Sequence, residues 1–354
     1  MHTAIEMLRL TLATLISAAA LTACGATQSP DSPGLPADAA LPTEVPPDTT
    51  LVVADDANRL RTLLTLSGEQ DRLTGEVSYA NFSSGPLRLE AIRTGNAHLG
   101  YVGDVPPILA HYSDADVPIV GAVRRDGTGA LIATSPDSGI TSLSDLAGKR
   151  IGVNEGTSQQ ATLLRNLQSV GLGIGDVEPV YLGLAEFADG LRAEQIQAAV
   201  LKQPDRARYL ESTAAEGAIE IPNAPGANTG LNYLYAGRDA LIDPARAAAV
   251  REFVIAWYRA ELWRNGHQDT WISEYLVKDQ HVDVDDARKI VESDGVASIP
   301  GFTDEVVATQ QETIDLLQQA GAFAGRELRA RDEFDFRFAD LTADSPTENR
   351  GGQP

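Results

Sequence analysis

Residues 79–107 constrain this chain more than any other stretch, because they place two strand–loop–helix units in direct succession. Each loop is built to offer bare backbone N–H groups to something small. Asn81-Phe82-Ser83-Ser84-Gly85 leaves a short strand (76–79) and enters a helix at Pro86. Serine can cap that helix, glycine lets a ligand approach closely, and proline suits a first turn that needs no intrahelical N–H bond. Leu87, Ala91 and Ile92 fall near helical spacing, and Gly95 closes the helix. A strand over 98–102 then runs through Gly103-Asp104 into Pro106-Pro107 and a second helix. There a ligand would meet the N–H groups of Gly103, Asp104 and Val105. Such helix N-termini favour a polar or anionic head group, since unpaired N–H groups and the helix dipole both point at it. One loop of this kind is ordinary capping chemistry. Two in succession, with a third at Gly156-Thr157-Ser158, indicate a binding cleft.

From Leu51 onward strands and helices alternate to about residue 221, the pattern of an α/β protein with a largely parallel sheet. The alternation breaks once, where strand-like residues 119–123 and 130–134 follow each other across the charged turn Arg124-Arg125-Asp126-Gly127. That step reads as a first crossing between two lobes. The two arginines read either as an anion clamp or, more commonly for such a turn, as solvated charges. A Pro/Gly/Asn stretch over 222–230 ends the second lobe, and a strand over 231–235 returns to the first. Asn232, Tyr233 and Tyr235 therefore lie where the chain re-enters the cleft, and strand phase decides which of them faces it. The remainder is helical, with Val250, Phe253, Val254, Trp257, Tyr258 and Leu262 on one stripe of a long helix.

Both ends differ from this body. Residues 10–21 are apolar but too few for a membrane span, and Leu21-Thr22-Ala23-Cys24 matches the pattern of bacterial lipoproteins. The expectation is a signal peptide over 1–23 and a lipidated Cys24, with a Pro/Ala/Ser/Thr/Asp tether over 24–49. Residues 326–354 read as a polar C-terminal tail. Cys24 is the single cysteine, which leaves no internal disulfide framework and no multi-thiolate metal site. The net charge of −22 argues against nucleic acid as a partner. His98, His111, His267 and His281 form no close-spaced ligand pattern, and Ser83 and Ser84 lie in no GxSxG elbow. No metal, cofactor or catalytic residue is expected, and no enzymatic activity.

At this point the sequence resembles the substrate-binding lipoproteins of bacterial ABC importers that serve aliphatic sulfonates, taurine and nitrate. Phe82-Ser83-Ser84-Gly85-Pro86 with Glu90-Ala91-Ile92 and Gly95 is similar to that family's Gly-rich loop and following helix. Leu99-Gly100-Tyr101-Val102-Gly103-Asp104-Val105-Pro106-Pro107 resembles its next strand and cleft loop. Ser144-Asp145-Leu146-Ala147-Gly148-Lys149-Arg150-Ile151-Gly152-Val153 resembles its entry into the second lobe. Gly156-Thr157-Ser158, with Leu167, Gly171-Leu172 and Asp176-Val177 behind, resembles the second ligand loop.

The resemblance implies an α/β, two-lobed periplasmic-binding-protein type II fold with two crossover strands and a ligand cleft between lobes. By that analogy lobe 1 is 50–125 plus 229–325 and lobe 2 is 126–228. It implies a monomer that captures a small organic anion, most readily an aliphatic sulfonate, and delivers it to membrane permease subunits. Taurine, nitrate and a neutral thiamine-precursor-like heterocycle are the alternatives, with an extracytoplasmic enzyme on the same fold behind them. The candidate ligand residues are Asn81, Ser83, Ser84, Gly85, Gly103, Asp104, Gly156, Thr157, Ser158, Lys202 and Asn232. Lys202-Gln203-Pro204 stands where members commonly carry an aromatic and an acid before a proline, so an ammonium replaces a carboxylate there. It would favour a more anionic ligand if Lys202 faces the cleft; at a strand end it is equally read as solvated. Asp104 would repel a sulfonate, so it is read as a helix cap, or else as the contact for a ligand amine.

Overall fold

The computed structural model describes residues 34–346 except Ala324. The leader and Cys24 lie outside these described residues. Residues 35–346 belong to one compact unit. Its apolar strand β1 (Thr50–Asp55) leads into α1 (Arg59–Ser67), whose first amides are held by the strand's last side chain. Asp55 accepts from Leu60 N at 3.0 Å and Arg61 N at 3.1 Å. β2 (Glu76–Asn81) feeds α2 (Gly85–Arg93), capped by Ser84 Oγ accepting from Leu87 N at 3.4 Å. β3 (Leu99–Gly103) feeds α3 (Val105–Tyr112), and β4 (Ile119–Arg125) carries the chain to the crossing.

Residues 126–130 pass to a second sheet. It is made by β5 (Leu131–Thr134), β6 (Arg150–Val153), then α4 (Ser158–Ser169), β7 (Glu178–Tyr181), α5 (Phe187–Arg192), β8 (Ala198–Leu201), α6 (Asp205–Thr213) and β9 (Glu220–Ile221). Residues 222–230 return the chain to β10 (Leu231–Ala236), which inserts between β3 and β4. α7 (Arg238–Ile242), α8 (Pro244–Gly266) and α9 (Gln268–Trp271) follow, and α9 continues as a π-helix over Ile272–Asp279. α10 (Val284–Asp294), β11 (Ala297–Ser298) and α11 (Asp304–Gln319) complete the helical part.

The sheet orders are β11-β4-β10-β3-β1-β2 and β7-β6-β8-β5-β9. Both sheets are mixed rather than largely parallel. β1 pairs parallel with β2 and β3, and β6 with β7 and β8. β10 is antiparallel to β3 and β4, and β5 to β8 and β9. The reversed strands adjoin the crossings: they enter a sheet from the other lobe, not over a helix from a neighbouring strand, so nothing requires them to run parallel. The buried face of α8 packs under the first sheet, where Tyr258 Oη accepts from Ala122 N at 3.0 Å and Trp257 is buried beside it.

Both expected tails are shorter than the sequence implies. Leu35 N donates to Ile242 O at 2.6 Å and Val45 is buried, so the tether expected over 24–49 is already packed from Leu35 onward. Its apolar residues are few, but Val45 and Leu41 join the first lobe's core. At the other end Leu328, Ala330, Phe334, Phe338 and Leu341 are buried. Phe334 bridges to Ile119 of β4, and Asp335 N donates to Ile119 O at 3.0 Å. Residues 326–341 are thus part of the body rather than a polar tail.

Candidate functional site

The loops at the C-terminal ends of β2, β3 and β6 converge with the two crossings on one cavity of about 380 Å³. This lies in the usual range for small-molecule sites. Ser83, Ser84 and Gly85 reach it from the first unit, Gly103 and Asp104 from the second, Thr157 and Ser158 from the third, and Lys202 and Asn232 from β8 and β10. Two expected residues are absent from its lining. Asn81 is exposed and engaged with Asn58, its Oδ1 accepting from Asn58 N at 2.8 Å. Gly156 gives its N–H to Gln160 Oε1 at 3.0 Å and turns at φ +73°, a conformation glycine adopts without cost. Of the three crossover candidates Asn232 faces the cavity, while Tyr233 and Tyr235 are fully buried in the sheet. Tyr101 Oη donates to Asn232 Oδ1 at 2.7 Å, fixing the amide in place.

Asp104 is not a side-chain cap. Its backbone already lies in the right-handed helical region (φ −73°, ψ −22°), whereas a capping carboxylate needs extended geometry to reach back to the N2 and N3 amides. Its Oδ2 instead meets Arg165 Nη2 and Thr229 Oγ1, each at 3.2 Å. Arg165 belongs to α4, so this pair joins the two lobes. Lys202 makes a second such link, with Nζ 2.9 Å from Asp56 Oδ2 of the first lobe. It does face the cavity, already paired. Arg208 adds a third link by donating to Gln280 O.

Gly103 marks how closely the lobes meet: a Cβ there would lie 2.1 Å from Ser158 Oγ. Beyond the cavity, Val105 and Ile108 of α3, Ala161 and Leu164 of α4 and Leu317 of α11 form one apolar cluster across both lobes.

Sequence reasoning missed most of the charged wall. Asp56, Arg59, Arg88, Arg165 and Arg208 line the cavity beside Lys202. The sequence did hold one sign of this: Arg88 shares a helical face with the buried Ala91 and Ile92, an odd place for an arginine unless something polar meets it. Its Nη1 donates to Phe82 O at 2.6 Å and lies 3.5 Å from Asp56. Burial pushes the Asp56 carboxyl up, but the charges of Lys202 and Arg88 outweigh it and leave its pKa lowered. At the first crossing the two arginines part company. Arg125 lines the cavity and pairs with Glu261, whereas Arg124 pairs with the exposed Glu305 at 2.6 Å.

Glu261 also takes Arg59 at 3.2 Å, and Arg264 behind pairs with Asp294. Burial raises the Glu261 carboxyl, yet Arg125, Arg59 and Arg264 together hold it at about 2. Trp271, Tyr275, Leu276 and Ile290 add apolar surface from α9, the π-helix and α10. Among the described residues no group of His, Cys, Asp and Glu could hold a metal ion. His98 accepts from Val52 N through Nδ1 at 2.9 Å.

Comparison with known proteins agrees with this architecture. An Escherichia coli (strain K12) relative, provisionally named an aliphatic sulfonates-binding protein, is 30% identical over 146 residues, covering 41% of this chain and 44% of the relative. The matched stretch thus spans less than half of that relative's length. The alkanesulfonate-binding protein SsuA from Xanthomonas axonopodis pv. citri, bound to MOPS, superposes with a TM-score of 0.70 at 24% identity, covering 82% of this chain and 98% of that one. A Candida albicans gene product with the generic periplasmic binding protein fold superposes with a TM-score of 0.63 at 15% identity, covering 82% and 95%. At such identities the structural likeness establishes the fold: two lobes of α/β structure with the cleft between them. The NMT1/THI5-like family model matches residues 76–270, more than half of the sequence, and the chain belongs to that family.

Proposed function

We propose that this protein is the extracytoplasmic solute-binding component of an ABC importer, and that it captures a small organic anion, most readily an aliphatic sulfonate. One observation carries the reading. In a chain of net charge −22, a cavity between two lobes is lined by six cationic side chains and the three Gly/Ser loops. Ligand binding then favours the closed arrangement in which Lys202 and Arg165 bridge the lobes, and the closed form is what a permease would receive. The names of the sulfonate-binding relatives point the same way. Anchoring at Cys24 belongs to this reading on the strength of the pattern Leu21-Thr22-Ala23-Cys24, and is checked by whether the mature protein partitions with membranes.

The deciding experiment is a thermal-shift titration against alkanesulfonates, taurine, nitrate, sulfate and a neutral pyrimidine. A ligand that binds only the folded state adds about 2.7 kcal/mol at a hundred times its Kd. Stabilisation by sulfonates is the expected result. Stabilisation by the pyrimidine alone would show that the charged wall serves the fold and not the ligand.

A further inference from the structure

The positive charge around the cavity exceeds the negative, and the excess is confined to particular side chains. Arg165 is matched by Asp104 at 3.2 Å and Arg208 by Asp205 at 3.6 Å. The other cations fall into two groups. Arg88 and Lys202 share the single carboxylate of Asp56, at 3.5 and 2.9 Å. Arg59 and Arg125 share Glu261, while Arg264 behind them takes Asp294. Each group therefore holds one more cation than carboxylate. Asp55, beside Asp56 in sequence, is turned to the amides of Asp56, Leu60 and Arg61 at the start of α1.

Excess charge in a buried wall is costly unless an opposite charge and hydrogen bonds meet it. The side chains of Arg88, Arg125 and Arg264 are only 7, 10 and 2% exposed. Each still has a buried N–H without a partner among the described residues: Nε of Arg88, Nε of Arg125 and Nη1 of Arg264, with Nε of Arg59 a fourth. The first group lies against the loop before α2, through the bond of Arg88 to Phe82 O. The second lies against the crossings, where Arg125 N donates to Gly230 O and Arg59 stands over the Tyr101 ring.

We propose that the ligand of this cleft is a dianion with two acid groups on a short carbon chain, such as a disulfonate or a sulfonate that also bears a carboxylate. One acid group is taken by Arg88 and Lys202 beside Ser83-Ser84-Gly85. The other is taken by Arg59 and Arg125 at the crossings. The proposal rests on the solute-binding reading above and narrows it from anions in general to doubly charged ones.

Calorimetric titration of the full chain with ethanesulfonate, ethane-1,2-disulfonate and sulfoacetate tests it. Both dianions are expected to bind at least roughly tenfold more tightly than ethanesulfonate, by a margin that shrinks with added salt. In Lys202→Gln, at a half-exposed position that the fold tolerates, the margin should fall to about threefold or less. Arg125→Gln, with its folding checked by thermal unfolding, should narrow it likewise. Ethanesulfonate binding as tightly as its disulfonate would overturn the proposal and leave the solute-binding reading intact. A margin unchanged in both variants would overturn the placement of the two acid groups. No binding by any of the three would remove the sulfonate reading itself.

Discussion

Glu261 shows what a single side chain is asked to hold in this protein. It is 1% exposed, sits between Arg59 and Arg125, and accepts from Trp257 Nε1 at 3.2 Å. Removing its charge leaves two guanidiniums uncompensated in a dry wall, so Glu261→Gln should destabilise the fold by about 3 kcal/mol in denaturant unfolding at neutral pH. The pH dependence has a definite sign. With its folded pKa held near 2 against an ordinary 4.5, Glu261 contributes fully above about pH 4.5 and progressively less as pH falls towards 2. Wild type and variant should therefore converge in acid, and a gap that stays constant down to pH 3 would count against the pairing. Little of this was legible beforehand. Glu261 follows Trp257 by one helical turn within a helix whose stripe reads as core, and nothing local announces that Arg59 and Arg125, remote in sequence, converge on it. The Gly/Ser loops were legible because their chemistry is local: Ser84 before Pro86 and Thr157 before the start of α4 cap helices whatever the rest of the chain does.

Among the elements, the alternation of strand and helix between β1 and β9 could be read from periodicity alone, and so could the long α8. The C-terminal segment could not. Phe334, Phe336 and Phe338 alternate with charges, yet Phe334 makes only a single extended bridge and Phe336 and Phe338 lie in a short 3₁₀ turn, so no period marks which face is buried. What orders them is remote contact. Phe334 meets the Tyr233 ring edge-on at 5.9 Å and Phe302 at 5.0 Å, while Asp335 pairs with Arg238 and Arg337. Phe334→Ala should cost about 3 kcal/mol in thermal or denaturant unfolding. A value below about 0.5 kcal/mol, typical of exposed surface positions, would mean that the segment is not docked in solution. Periodicity likewise does not separate the π-helix over Ile272–Asp279 from an ordinary helix. Its wider turn carries Tyr275 and Leu276 to the cavity, as π-helical turns often do at functional sites.

At the scale of the whole molecule, the two lobes meet through several polar links, those of Arg165, Lys202 and Arg208 among them, and one apolar cluster, and Gly103 lies against Ser158 of the other lobe. Valine at that position fits β3, whose backbone there has no positive φ, but its side chain would strike Ser158 whenever the lobes close. Gly103→Val should therefore weaken ligand binding by roughly tenfold or more while changing ligand-free unfolding by less than about 1 kcal/mol. Equal affinity in the variant would show that binding does not require this degree of closure. The two crossings have a different consequence. The first sheet is assembled from chain on both sides of the second lobe, and the strands that leave and re-enter it are neighbours: Arg125 N and Gly230 O share a hydrogen bond of 3.0 Å. The second lobe is thus a cassette whose two ends are already stitched together. Grafted between relatives at that seam, it would exchange one half of the ligand wall while the other half kept its own core, so chimaeras can trade selectivity without rebuilding either sheet.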